Sequence, residues 1–423
     1  MAERKQAPAV SRLTPWFYGW NVLAVAVLVQ AYLLGATHFT VTFWVTPWAQ
    51  EFGASRSAIM WSVMGAYILS SLLAPVAGRA LDRWSIRALL AAGAASLGAG
   101  AALAAHATAL WQIAGIYAVF ISTAMCLGGP IATQALAARW FRARRGLAIG
   151  IASGGFAIGG FAVPPVVTYV LAHSDWRQAQ LMLAAVAVLL LVPLVLAVIR
   201  NDPADAGVEP EPEAPGGAPV HAAGGEYLTT AAILQRWDFW LTVIAFLPAM
   251  VVVTAIQLNL GPYAQDLGIG TQTTAFIVSV MSATSIAGSL IGGALTDRMP
   301  VRSLYYVTMA TLAVAVALMI GHPGALLLGA AFALVGLVIG AAGPLLAAIV
   351  VRGFGPASFG QAIGLVYMFY VFNAIGGPLA AAVRDHMGSY DAFMAGGIAV
   401  IVGCAMVMLR APRPASVPAS APT

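Results

Sequence analysis

The residues able to do chemistry in this chain are few, and two groups of them stand out. Of 423 residues only 8% are charged, yet residues 78–87 read GRALDRWSIR, with four charges in ten positions. The pattern G-x-x-x-D-R-x-x-x-R returns 215 positions later in residues 293–302, GALTDRMPVR. A carboxylate at a helix end can accept hydrogen bonds from an arginine or from the free amides of a neighbouring helix N-terminus. Asp82 and Asp297, with Arg83, Arg87, Arg298 and Arg302 around them, could therefore make and break a latch, and Gly78 and Gly293 would let helices approach closely. Arg139 and Arg352 are further candidate partners of these loops.

The second group lies inside apolar runs. Gln30, His38, Tyr67, Ser70, Ser71 and Gln134 fall in the first half of the chain, and Gln257, Asn259, Ser285, Ser289, Tyr367, Tyr370 and Asn373 in the second. Polar groups in hydrocarbon are costly, so by default they mark a substrate path. For a serine, a bond to its own helix backbone is the competing explanation. His38 is the candidate for proton coupling. Imidazole titrates near pH ~6.5, and His106, His173, His221, His322 and His386 all fall in loops or at the ends of runs. An anion beside a protonated imidazole would favour the proton, and the proton the anion, as symport requires. The plainer alternative is a neutral ring bonded to Thr37 or Thr42.

These residues must be positioned by elements made for lipid. The composition is 61% hydrophobic with a mean hydropathy of +0.88, against roughly half apolar in soluble domains. Crossing ~30 Å of hydrocarbon takes roughly 20 apolar residues in a helix, and helix satisfies the backbone internally. Charges and turn signals leave twelve candidate spans, near 20–44, 58–80, 88–107, 110–138, 146–171, 179–199, 238–260, 274–295, 303–320, 325–351, 362–383 and 392–410. With the N-terminus inside, seventeen of the twenty Lys and Arg residues fall on the inner side, and only Arg56, Arg177 and Arg384 outside. That bias predicts cytoplasmic termini and a plasma (inner) membrane location. The first run is too long for a signal peptide and is expected to be retained.

The chain divides into a tail (1–15), a six-helix bundle (16–200), a linker (201–236), a second bundle (237–410) and a tail (411–423). Residues 201–225 are rich in Pro, Gly, Ala and acid and cannot bury enough surface to repay their ordering. Thr229 or Thr230 is placed to cap a short helix along the membrane, with Trp237 and Trp240 at the interface. The halves echo one another: Arg139-Trp140-Phe141 matches Arg352-Gly353-Phe354, and Phe156–Gly160 matches Asn373–Gly377. This is a duplication with parallel halves. Gly128-Gly129-Pro130, Gly343-Pro344 and Gly376-Gly377-Pro378 could interrupt helices and expose backbone donors, with ordinary close packing or kinking the commoner outcome at any single one. Cys126 and Cys404 fall inside spans and read as buried thiols.

Several classes are excluded. H-E-x-x-H and G-x-S-x-G are absent and no span carries a central Asp or Glu, so neither an enzyme nor a metal site is expected. No cofactor is implied. A nucleic-acid binder needs a coherent basic surface, which twelve spans cannot offer, and a membrane sensor would be expected to carry an added soluble domain.

The paired decapeptide between the second and third spans of each half resembles the signature loop of the major facilitator superfamily. Tyr18-Gly19-Trp20, Glu51–Arg56, Arg139–Gly150, Phe354-Gly355-Pro356 and Gly388-Ser389-Tyr390 further resemble its monocarboxylate-porter and oxalate–formate-antiporter branch. The resemblance implies an all-α membrane protein of two pseudo-twofold-related six-helix bundles. It implies a monomeric secondary transporter that moves a small organic solute by alternating access, with the bilayer and possible coupled protons as its other partners. Spans 1, 2, 4, 5, 7, 8, 10 and 11 would line the cavity. The branch's carboxylate carriers place an arginine where this chain has Ser289, and some a lysine in the eleventh span, where residues 362–382 have none. Animal monocarboxylate porters similar at Gly19-Trp20 place a lysine where His38 stands. A small organic anion held by helix dipoles and hydroxyls, or a neutral or amphipathic solute held by aromatic walls, are both open on these residues.

Overall fold

The computed structural model describes residues 16–209, 211 and 227–409. Helix dominates them, as the apolar runs require. Eleven helices are long and apolar enough to cross a membrane, and a twelfth, Val301–Ala317, is apolar but shorter. In chain order they are α1 (Gly19–Phe39), α2 (Ala58–Arg83), α3 (Ile86–Ala105), α4 (Leu110–Trp140), α5 (Arg145–His173), α6 (Trp176–Val198), α7 (Trp237–Asp266), α8 (Gln272–Arg298), α9 (Val301–Ala317), α10 (Ala325–Phe354), α11 (Pro356–Met387) and α12 (Asp391–Leu409). A further helical segment, Val41–Phe52, prolongs α1. Side-chain caps set several starts: Ser55 accepts from Ala58 N, Ser85 from Ala88 N and Asp175 from Gln178 N.

The first six helices and the last six form two bundles. Even-numbered helices end, and odd-numbered ones begin, on the side that carries the connection between α6 and α7, called here the linker side. A short helix, Thr230–Gln235, lies before α7, capped by Thr229 as its sequence suggests. The tails and residues 212–226 lie outside the described residues. Cys126 and Cys404 are buried and free.

Each bundle is fastened at its far end by an ion pair to the carboxylate that ends its first helix. The arginine comes from the sixth helix in one bundle and from the fifth in the other. Arg177 meets Glu51 at the end of the α1 extension, and Arg384 meets Asp266 at the end of α7 at 3.0 Å. On the linker side Arg87 donates to the carbonyl of Leu196, and Arg302 to those of Met408 (2.7 Å) and Leu409 (2.6 Å). The last arginine of each decapeptide thus binds the exposed carbonyls that end the sixth helix of its own bundle.

Three helices are irregular where polar residues sit. In α1 a π-helical turn spans Gly35–Phe39. In α4, Gly129 is extended (φ −82°, ψ −165°) and Pro130 opens the next helical piece. In α11, a 3-10 stretch, Phe369–Ile375, separates Phe359–Met368 from Gly376–Met387. At Gly343-Pro344 there is no interruption: Ala325–Phe354 is continuous. Pro344 deletes a single donor there, and packing against neighbouring helices tolerates that loss.

Candidate functional site: a central opening closed by a paired latch

The bundles meet on the linker side through two equivalent contacts. Asp82, in the last turn of α2, accepts from the amides of Gly360 (2.8 Å) and Gln361 (2.7 Å) at the start of the helical part of α11. Asp297, in the last turn of α8, accepts from Gly146 (2.7 Å) and Leu147 (3.0 Å) at the start of α5. Each carboxylate fills the unsatisfied, positive end of a helix in the opposite bundle. The local sequence makes room for it. A Cβ on Gly78 would meet the Gly360 carbonyl, and one on Gly293 would meet Gly146 and Gly150.

The arginines have other tasks than the expected one. Among the described residues neither carboxylate forms an ion pair with Arg83 or Arg298. Arg83 instead lies over the Tyr227 ring, 4.8 Å from its centre, and Arg298 is exposed. Arg139 donates to the Leu81 carbonyl (2.7 Å) and Arg352 to that of Thr296 (3.3 Å), each tying the fourth helix of a bundle to its second. Of the two donors the sequence offered each carboxylate, an arginine or a helix N-terminus, the amides are the ones that bond it. Which helix N-terminus it would be has no signature in residue type.

Beyond this closure the polar residues fall into two groups. His38, on the π-helical turn between Gly19–Leu34 and the Val41–Phe52 extension, is exposed. Its ring sits among Phe39, Tyr67 and Phe156, with centres 5.1, 5.4 and 5.4 Å away. Tyr67 donates to the Thr37 carbonyl at 2.8 Å, in the irregular turn, and Thr37 donates to Leu33 O at 2.7 Å. The second group lies on α11. Tyr367 and Tyr370 pack edge to face at 4.9 Å, and Asn373 follows on the 3-10 stretch with its buried Oδ1 unpartnered. This group joins the bundles: Gln134 donates to Ser153 at 3.2 Å and also meets the Tyr367 hydroxyl. Gly343 of α10 packs against Ser153 there.

Other candidates make contacts of their own. Gln30 is fully buried and accepts from Thr133, holding α1 to α4. Asn259 donates to Ala255 O (2.9 Å) and Gly377 O (3.1 Å), joining α7 to α11 within one bundle. Gln257 touches the Met281 sulfur at 3.8 Å. Ser70 is engaged with Cys126. Ser285 and Ser71 are half-buried. Ser289 is 1% exposed and donates to Ile286 O at 2.9 Å. It faces Gly154 of α5, inside the contact between bundles. The missed residues are Tyr227, Ser153 and Phe156. An aromatic just after a low-complexity linker carries no cue that it will dock on Arg83.

These contacts close the linker side with hydrogen bonds that can break. Comparison with known proteins bears on the family. The family model described as Major Facilitator Superfamily matches residues 23–378. The chain is 26% identical over 419 residues to monocarboxylate transporter 12 of Rattus norvegicus, covering 91% of this chain and 83% of that protein. It is 27% identical over 415 residues to monocarboxylate transporter 11 of Mus musculus, covering 94% and 88%. Among solved structures, the proton:xylose symporter XylE bound to 6-bromo-6-deoxy-D-glucose aligns with a TM-score of 0.68 at 13% identity, over 93% of this chain and 96% of that one. Twelve apolar helices in two equivalent bundles, a reciprocal latch and a match along most of its length make this chain a membrane transporter of the major facilitator superfamily.

Proposed function

We propose that the protein carries a small organic monocarboxylate together with a proton, by alternating access, and that His38 takes the proton. The observation that supports this reading is the setting of His38: an imidazole, the side chain that can gain and lose a proton in the physiological range, exposed on an irregular turn and ringed by Phe39, Tyr67 and Phe156. The relatives named as monocarboxylate transporters support the substrate class. Protonated His38 would supply a cation, and the carboxylate would neutralise it, so the pair crosses as a neutral unit at low desolvation cost. Tyr367, Tyr370, Asn373 and Gln134 would orient the rest of the solute. The linker side faces the cytoplasm on this reading, because Lys and Arg concentrate there and two of the three far-side arginines are neutralised by Glu51 and Asp266.

A second reading, a neutral or amphipathic solute, is favoured by one specific observation. Position 289 holds a buried serine packed on Gly154, so no fixed cation stands where the branch has one. The two part company in proteoliposomes given an inward proton gradient. Concentrative uptake of monocarboxylates, with dicarboxylates and neutral aromatics excluded, is the expected result. Accumulation of the neutral compounds alone would overturn the proposal.

A further inference from the structure

The two described ends of the linker touch the latch from opposite sides. Tyr227 makes contact with both bundles at once: its ring carries Arg83 of α2, 4.8 Å from the centre, and its hydroxyl bonds the Gln361 side chain of α11. Gln361 is also the residue whose backbone amide holds Asp82 at 2.7 Å. Thr230 bonds the same side chain at 2.6 Å, and Leu228 N donates to Ser358 Oγ at 2.8 Å in the loop that feeds α11. At the other end, one oxygen of Glu211 accepts from the successive amides of Arg142 (3.0 Å), Ala143 (3.0 Å) and Arg144 (3.3 Å). Three convergent amides form an anion-binding nest. That loop feeds α5, whose first amides hold Asp297. The loops before α5 and α11 are related by the internal repeat, and each is bound by one end of the linker.

We propose that Tyr227 and Glu211 are gate residues supplied by the linker: Tyr227 clips the bundles together, and Glu211 fills an anion nest that holds the amides of α5 in place for Asp297. The clips act through these contacts and not through the intervening chain. The proposal rests on alternation between two bundle arrangements and is independent of the substrate.

Spin labels on Trp84→Cys and Ala357→Cys, exposed on the linker side in opposite bundles, report opening as a longer distance in the full-length protein. Asp82→Asn with Asp297→Asn serves as the reference that opens the gate. Tyr227→Ala is expected to raise the open-to-closed ratio roughly five- to tenfold, as loss of an exposed cation–π contact and a hydrogen bond would. Tyr227→Phe, which keeps the ring and so the fold, should give an intermediate rise, and Glu211→Ala a rise of its own. A protease site cut between residues 214 and 222 should leave the ratio unchanged. If the Tyr227 variants match wild type while the aspartate variants open, the clip is refuted. Opening on cleavage alone would equally overturn it, by showing that the tether acts. If the aspartate variants show no second distance, the alternation beneath the proposal is what fails.

Discussion

Gly150 is small because of what stands in the other bundle. A Cβ there would lie 3.0 Å from the Gly293 Cα and against the Ser289 carbonyl, both in the other bundle. Gly150→Val should therefore leave the N-terminal bundle folded while barring closure of the linker side. Overpacking costs about 1–3 kcal/mol, a shift of roughly 5–150-fold in a two-state equilibrium. Thiol labelling of a linker-side cysteine should rise accordingly with little change in thermal stability; unchanged labelling would mean that α5 and α8 do not close on each other as described. Ser289→Arg belongs to the same contact. The position is buried beside Gly154, so the added guanidinium should open the linker side by a similar margin. An anion-affinity gain in a still-closed protein would contradict that expectation.

Between helices, the latch is built twice and the copies differ in depth. Asp82 is half-buried, whereas Asp297 is exposed. Carboxylate bonds to helix N-termini are worth about 0.3–1 kcal/mol when exposed and up to ~2 kcal/mol when partly buried. Asp82→Asn should thus shift the gate towards linker-side opening more than Asp297→Asn, with the double variant near the sum because the sites share no partner. Spin-label distance populations across the linker side would measure this. Equal effects, or none, would remove the latch from the mechanism. The irregular stretches of α1, α4 and α11 teach a related lesson about reading elements from sequence. Gly129-Pro130 breaks α4 because the glycine takes an extended backbone and the proline starts the next helix. The same dipeptide at Gly343-Pro344 leaves α10 continuous, since what decides a break is the packing around it. The π turn at Gly35–Phe39 had no cue in residue type at all.

Seen as a whole molecule, most of the fold was legible because lipid imposes it. Twelve apolar runs, a repeat at an offset of 215 and the arginine bias led to two parallel bundles, and the decapeptides located the closure. The site was legible only in part. His38 and Tyr67 meet at one irregular turn, and Gln134 meets Tyr367 across the two bundles. Gln30 and Asn259, equally polar, instead fasten helices within a bundle. Periodicity tells which residues share a span, but not which face of that span meets the solute. Contacts through backbone amides and through the linker ends at Glu211 and Tyr227 depend on tertiary approach, which residue type does not encode.

The central claim is that a proton taken by His38 accompanies the solute, and one measurement addresses it directly. Wild type and His38→Gln are reconstituted in proteoliposomes, and monocarboxylate uptake is followed as the outside pH is lowered at constant inside pH. Imidazole gains its proton as pH falls, so acidification of the side that His38 faces loads the carrier. The account predicts wild-type uptake that climbs severalfold on acidification, and a mutant whose residual uptake is flat with pH. A mutant that retains the wild-type pH dependence would contradict it, and would make His38 a structural residue of the π turn.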